Sequence, residues 1–267
     1  MANELITPEA VGVAVGAWFL DKLLGPSVEA LGENIKAFLS TRSNKVLAAA
    51  EKISKEADIE LKPIAPGLFM RLIMDASFSA DDEEITDWWA NLFVDASVNV
   101  SNQHAVFSDI MALLGPVEVR CLDEFVKFCL QFEHAGFGDD LSSSMNDTNT
   151  GFEFAVQNRI TNENAADPYD EIVSHLLQGT YGWPIRPAEW RLLRKDGETE
   201  IFGFGFDAWS RDRRLPLGIL QRAGVLQPLS ATFSVWGGST WVRANGLTPL
   251  GYEFYRACNG LMPSETN

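Results

Sequence analysis

The sequence predicts a mainly α protein with a small β component, and three features carry that reading. Apolar residues recur at i, i+3, i+4 and i+7 up to about position 135, the spacing of one helix face. Polar turn residues replace that periodicity between about 136 and 205. The remaining C-terminal stretch then runs helix, short strand, hairpin, helix. The chain has 267 residues, 46% hydrophobic and 22% charged, a globular composition with room for one large domain or two smaller ones.

The first element is a helix opened by Thr7-Pro8-Glu9: an N-cap, a proline at N1 and an acidic first turn. Its apolar run, Ala10 to Leu20, is too short at about 1.5 Å per residue to cross a hydrocarbon layer of roughly 30 Å. Glu4 and Glu9 stand where a signal peptide would carry basic residues. A membrane span is therefore not expected. Gly12 and Gly16 form a small-xxx-small pair beside Trp18, which marks this helix for close approach and self-association. Gly25-Pro26 ends it.

Val28, Leu31, Ile35, Phe38 and Leu39 place a second helix, and Val46, Leu47, Ala50 and Ile53 a third from about Asn44. The Lys62 to Gly67 stretch turns the chain into a short buried helix over 68–76. From Ser79, Asp81 to Glu84 occupy a first turn where the helix dipole favours negative charge. Ile85, Trp88, Trp89, Leu92 and Phe93 follow as one wide apolar stripe. The acidic run is read as a solvated cap rather than a metal site. Phe107 to Leu114 forms the next helix, stopped at Gly115-Pro116, and Val117 to Phe132 a longer one. Residues 136 to about 170 read as a loop or insertion, and Glu200 to Phe206 alternates as a strand.

Pro216 to Ala223 is a short helix with Gly224 at C′. Val225-Leu226 leads into a strand, and Thr232 to Val242 reads as a hairpin turning on Gly237-Gly238. Thr248-Pro249 caps a closing helix that ends near Gly260. Helix, strand, hairpin, helix is a winged-helix-like order, with the helix from Val117 supplying its first member. The expected domains are thus a helical one over 1–115 and a winged-helix-like one over 116–267, carrying an insertion at about 136–205.

Charge narrows the function classes. The chain carries a formal net charge of -16, which argues against a surface built throughout for phosphate backbones. Residues 206–267 differ, holding 6 basic and 4 acidic side chains. Arg211, Arg213, Arg214, Arg222 and Arg243, with Trp236 and Trp241, are the candidate contact residues for nucleic acid or a protein partner. Three cysteines, Cys121, Cys129 and Cys258, form no metal-ligand spacing and suit a reducing cytosol. At least two of them read as core fillers.

No P-loop, GxGxxG, GxSxG, HExxH or paired CxxC motif occurs. Asp167, Asp170, Glu171 and His175 match no ligand pattern, and His104 and His134 read as satisfied surface histidines. No catalytic, cofactor-binding or metal residue is therefore nominated, and no cofactor is expected.

Several stretches resemble the Abi-alpha family: Leu24-Gly25-Pro26 with Glu29 and Gly32, Ile59 to Pro63, Ala76-Ser77, and Asp87-Trp88-Trp89-Ala90-Asn91-Leu92. The ending Leu247-Thr248-Pro249-Leu250-Gly251, with Phe254 and Ala257-Cys258, does so too. The resemblance implies bacterial abortive infection, a form of anti-phage defence, and carries no catalytic residues. It gives Trp88 a packing role, Asn91 a bond to a buried backbone group, and Gly251 close packing of the last helix. The expectation is a cytoplasmic, non-enzymatic defence protein acting as a homo-oligomer or by binding a phage or host protein. A winged-helix DNA-binding regulator and a membrane-acting toxin-like effector using residues 7 to 24 are the alternatives.

Overall fold

A computed structural model describes residues 22–23, 41–99, 101–130, 185–193, 199–202, 213–235 and 238–260. Within these the protein is mainly helical. The helices are α1 (Thr41–Glu56), α2 (Pro66–Phe78), α3 (Glu83–Val98), α4 (Gln103–Leu113), α5 (Pro116–Leu130), α6 (Arg214–Arg222) and α7 (Pro249–Asn259). The strands are β1 (Ile185–Leu193), β2 (Thr199–Phe202), β3 (Leu226–Val235) and β4 (Gly238–Leu247). The chain divides into two units, residues 1–119 with 253–267, and residues 120–252.

The first unit grows from the acidic helix start. Asp82 is the N-cap of α3, its carboxylate accepting from the backbone N–H groups of Glu84 and Ile85. Behind that cap Ile85, Trp89, Leu92 and Phe93 are fully buried, the aliphatic and Phe side chains each stabilising the fold by roughly 1.5–3 kcal/mol as apolar burial. Phe69 of α2 meets Phe93 edge-on at 5.9 Å between ring centres. Trp88 does the same with Phe254 at 6.0 Å and Tyr255 at 5.7 Å, the geometry aromatic quadrupoles prefer.

The starts of α1 and α3 are tied by Arg42, a buried cation. Its guanidinium donates to Asp81 Oδ1 at 3.1 Å, to Thr86 Oγ1 at 2.5 Å and to Ser79 Oγ at 3.4 Å. A buried arginine is tolerated because its donors are satisfied in this way. Lys45 shares Asp81 at 3.0 Å, and chiefly that lysine holds the Asp81 carboxyl below its ordinary range, with Arg42 adding to it.

The second unit contains one four-stranded antiparallel sheet in the order β2-β1-β4-β3. β4 is therefore internal, hydrogen-bonded to β3 on one side and β1 on the other. β1 is paired on both sides only over Trp190–Leu193, and Pro187, which has no N–H to give a ladder, lies in the part that pairs with β4 alone. The register with β4 also shifts between Pro187 and Glu189, so the proline stands beside a bulge on a singly paired stretch, where a strand accepts one. Gln221 of α6 donates through Nε2 to the buried Asn245 Oδ1 of β4 at 2.9 Å.

The helix expectations for the described residues hold within a few positions, whereas the strands needed correction. The strand read at Glu200 to Phe206 is present as Thr199–Phe202, with 203–206 outside the described residues, and β1 carried no clear alternation to announce it. The hairpin is longer than its sequence pattern, because Leu226 already belongs to β3. Val235 pairs with Gly238 and Ser234 with Ser239. A turn centred on Gly237-Gly238 would instead have paired Trp236 with Ser239, so each β3 residue meets a β4 partner two positions earlier than expected.

The closing helix is set by a close approach of backbones. Thr248 N–H donates to Val225 O at 2.9 Å, and Thr248 Oγ1 accepts from Gly251 N–H at 2.8 Å. A Cβ on Gly251 would lie 2.1 Å from Val225 O. Only a residue without one fits, so Gly251 has the close-packing role expected of it. Gly224, at φ +75°, ends α6 in the left-handed conformation that favours glycine.

Candidate functional site

The most chemically equipped place in the first unit is the end of α3 and the turn into α4. Ser101 and the first turn of α4 carry His104 inward, where it is only 1% exposed. Its Nδ1 lies 2.9 Å from Ser101 O and its Nε2 lies 2.7 Å from Asp95 Oδ2. A carbonyl oxygen can only accept, so Nδ1 carries a proton. The Asp95 carboxyl at Nε2 completes a buried histidine–carboxyl pair in which both ring nitrogens have partners. Asn99 Nδ2 donates to the other carboxylate oxygen of Asp95 at 2.8 Å. The ring edge also meets Phe107 at 5.8 Å between centres. His104 was expected at the surface. It is satisfied, but inside, because a partner nine residues away and across a turn leaves no periodic trace in a sequence.

Asp95 also faces a cleft of about 210 Å³. Ile53 of α1 with Val94 and Val98 of α3 give its apolar wall, and Arg256 and Asn259 of α7 its polar side. Arg256 donates to Glu253 Oε2 at 2.7 Å. At the rim Gly260 has φ +65°, and a Cβ there would come within 2.9 Å of Asn91 Oδ1. Asn91 is thus half-buried in the cleft wall and against Gly260. Cys258 is fully buried on the same helix, and burial pushes its thiol well up, with the Asp95 charge adding to it. Such a thiol is a core filler and a poor nucleophile, as is the buried Cys121 in its packing.

The sequence-nominated arginines fall into different settings. Arg213 is at the N-cap of α6 and pairs with Glu124 of α5 at 2.8 Å. Arg214 and Arg222 are exposed at the two ends of α6. Trp241 and Arg243 are on β4, opposite Thr232 and Ser230 of β3. Both therefore lie on an internal strand rather than on a free wing edge. Arg211, Trp236, Gly12, Gly16 and Trp18 lie outside the described residues, as do His134, His175 and Asp167 to Glu171. Sequence reasoning missed the cleft entirely, since its walls come from three helices far apart in the chain.

Fold and site together define a mainly helical protein with one antiparallel sheet. Among the described residues no group of three or more His, Cys, Asp or Glu side chains is placed to hold a metal ion, and no helix is long and apolar enough to cross a membrane. Residues 36–178 match the model of the abortive infection alpha family, and the chain belongs to that family. No curated protein and no solved structure matches it.

Proposed function

We propose that the protein acts in abortive infection as a cytoplasmic, non-enzymatic component of anti-phage defence, through self-association or by binding a phage or host protein. Family membership over residues 36–178 is the observation that carries the defence role. A non-enzymatic mode is supported by how reactive side chains among the described residues are used: His104 spends both ring nitrogens on internal oxygens, and Cys121 and Cys258 are buried.

Binding is supported by apolar side chains left in water. Phe78 is 87% exposed and Met74, one turn earlier on α2, is exposed as well. Val106 and Leu113 of α4 are exposed two turns apart. An ion pair from Arg71 to Asp109 and a 2.6 Å hydrogen bond from Ser108 to Asp75 hold these two helices together. Apolar groups presented on a braced pair of helices suit a protein partner better than a charged one.

The test is phage challenge of bacteria expressing the chain at low and high phage-to-cell ratio. Survival at low ratio with collapse at high ratio is the expected pattern. The F78D/L113D variant should fold, by circular dichroism, and lose protection. Full protection by that variant would remove the α2–α4 face from the reading. Light scattering on a G12L/G16L variant tests self-association, since an unchanged mass would sink that interface.

The order α5, α6, β3, β4, α7 also supports the winged-helix-like arrangement, with β1 and β2 drawn from the insertion at about 136–205. One observation favours the DNA-binding alternative: the exposed Arg214 and Arg222 on α6. Substituting both with Gln should then flatten the salt dependence of duplex binding; unchanged binding would dispose of it.

A further inference from the structure

We infer that the cleft between α1, α3 and α7 of the first unit is a binding site for a small monocarboxylate with an apolar body. This goes beyond the defence reading and stands or falls without it. The cleft has a volume of about 210 Å³ and a wall of Ile53, Val94 and Val98. Side chains at the junction of packed helices ordinarily interdigitate to close such a space. Gly260 leaves the rim open, because its positive φ disfavours a larger residue there and a Cβ would come within 2.9 Å of Asn91 Oδ1.

The charges select the head group. Arg256 is the one cation among the described residues of the cleft. Its contact with Glu253 runs through one terminal nitrogen, so further N–H groups of the guanidinium fork remain for a second carboxylate. Asp95 is the one acidic side chain among the described residues of the cleft, and both its oxygens are engaged from behind. His104 bonds one of its oxygens and Asn99 the other, at 2.7 and 2.8 Å. A cationic ligand therefore finds no unengaged carboxylate oxygen on Asp95. A dianion such as a phosphate ester meets Glu253 beside its only cation, within a chain of net charge -16. A single negative charge on an apolar body satisfies both the wall and the fork.

Ligand-observed NMR titration of the full chain with octanoate, 1-octanol and octylammonium tests this. Octanoate should bind with a dissociation constant at or below about 1 mM, and about tenfold more tightly than 1-octanol. Octylammonium should bind least. R256Q should weaken octanoate about tenfold and leave 1-octanol unchanged, with R256K intermediate because it keeps the charge and loses the fork. A57W, which places an indole at the exposed rim position Ala57, should abolish binding of both. Circular dichroism melting establishes that each variant is folded. If R256Q does not fold, the R256K comparison decides alone. The proposal is overturned if octanoate does not bind at 10-fold that concentration, if R256Q or R256K changes octanoate and 1-octanol equally, or if A57W binds as the parent chain does.

Discussion

In the first unit α3 is held by what its side chains fill, a continuous stripe from Ile85 to Phe93 that is buried against neighbouring helices. In the second unit α7 starts where a side chain is missing, so that Gly251 reaches the Val225 carbonyl. The first arrangement tolerates small errors, because the contributions of many apolar contacts add and each is modest. The second rests on one steric condition that a single methyl group breaks. The two regions should therefore respond oppositely to gain and loss of volume.

Removing volume tests the first. Trp88→Ala deletes the ring that meets Phe254 and Tyr255, and it is expected to lower stability by about 3–5 kcal/mol in urea unfolding followed by circular dichroism. A loss below about 1 kcal/mol would mean that these edge-on contacts hold little. Adding volume tests the second. Gly251→Ala forces a carbon against the Val225 carbonyl and should destabilise by about 2–3 kcal/mol.

Gly218→Ala sharpens that contrast with an identical chemical change. Nothing lies within 4 Å of the Cβ that Gly218 would gain, and it sits inside α6. The substitution should stabilise by about 1 kcal/mol through helix propensity. If both alanines destabilise alike, the close approach at Gly251 is not what distinguishes the two sites. At the start of α3, Asp82→Ala removes the cap on Glu84 and Ile85 and should lower stability by about 1 kcal/mol.

The smallest effect belongs to Asp87, an exposed residue of α3. Partial burial pushes its carboxyl up and Glu83 adds to that, while Lys52 acts the other way. A carboxyl raised in the folded state favours folding while it is protonated, and that contribution is lost as pH rises through its folded range. Asp87→Asn should therefore raise the unfolding midpoint slightly at pH 7, by less than about 0.5 kcal/mol. The gain should vanish below about pH 3, where the carboxyl is protonated in both states. A gain that persists there would assign the effect to something other than charge.

The cleft and the pair beside it show where sequence reading stopped. Trp88 and the acidic cap before α3 were legible, because each depends on residues within a few positions or on a stripe with helical period, whereas the close packing of Gly251, whose partner Val225 lies far back in the chain, came only from the family resemblance. Asp95 and His104 were not, because they meet across a turn at a separation that no periodicity marks. Arg256, Ile53 and Val94 looked like ordinary helix residues, and only the packing of three helices sets them around one space. The bulge beside Pro187 forms only once β4 is alongside.

The sequence by itself determined the helices, their caps and their stops, since a helix bonds to itself within four residues and its buried face repeats with a fixed period. Family membership is likewise a property of the sequence, legible in stretches such as Asp87 to Leu92 and over residues 36–178 as a whole. Tertiary structure alone decided the β1–β4 pairing, the register of the hairpin, the His104–Asp95 pair and the cleft. Each of these joins residues whose partners are set by which elements pack together, and that choice is made by burial and steric fit across the chain rather than by local bonding.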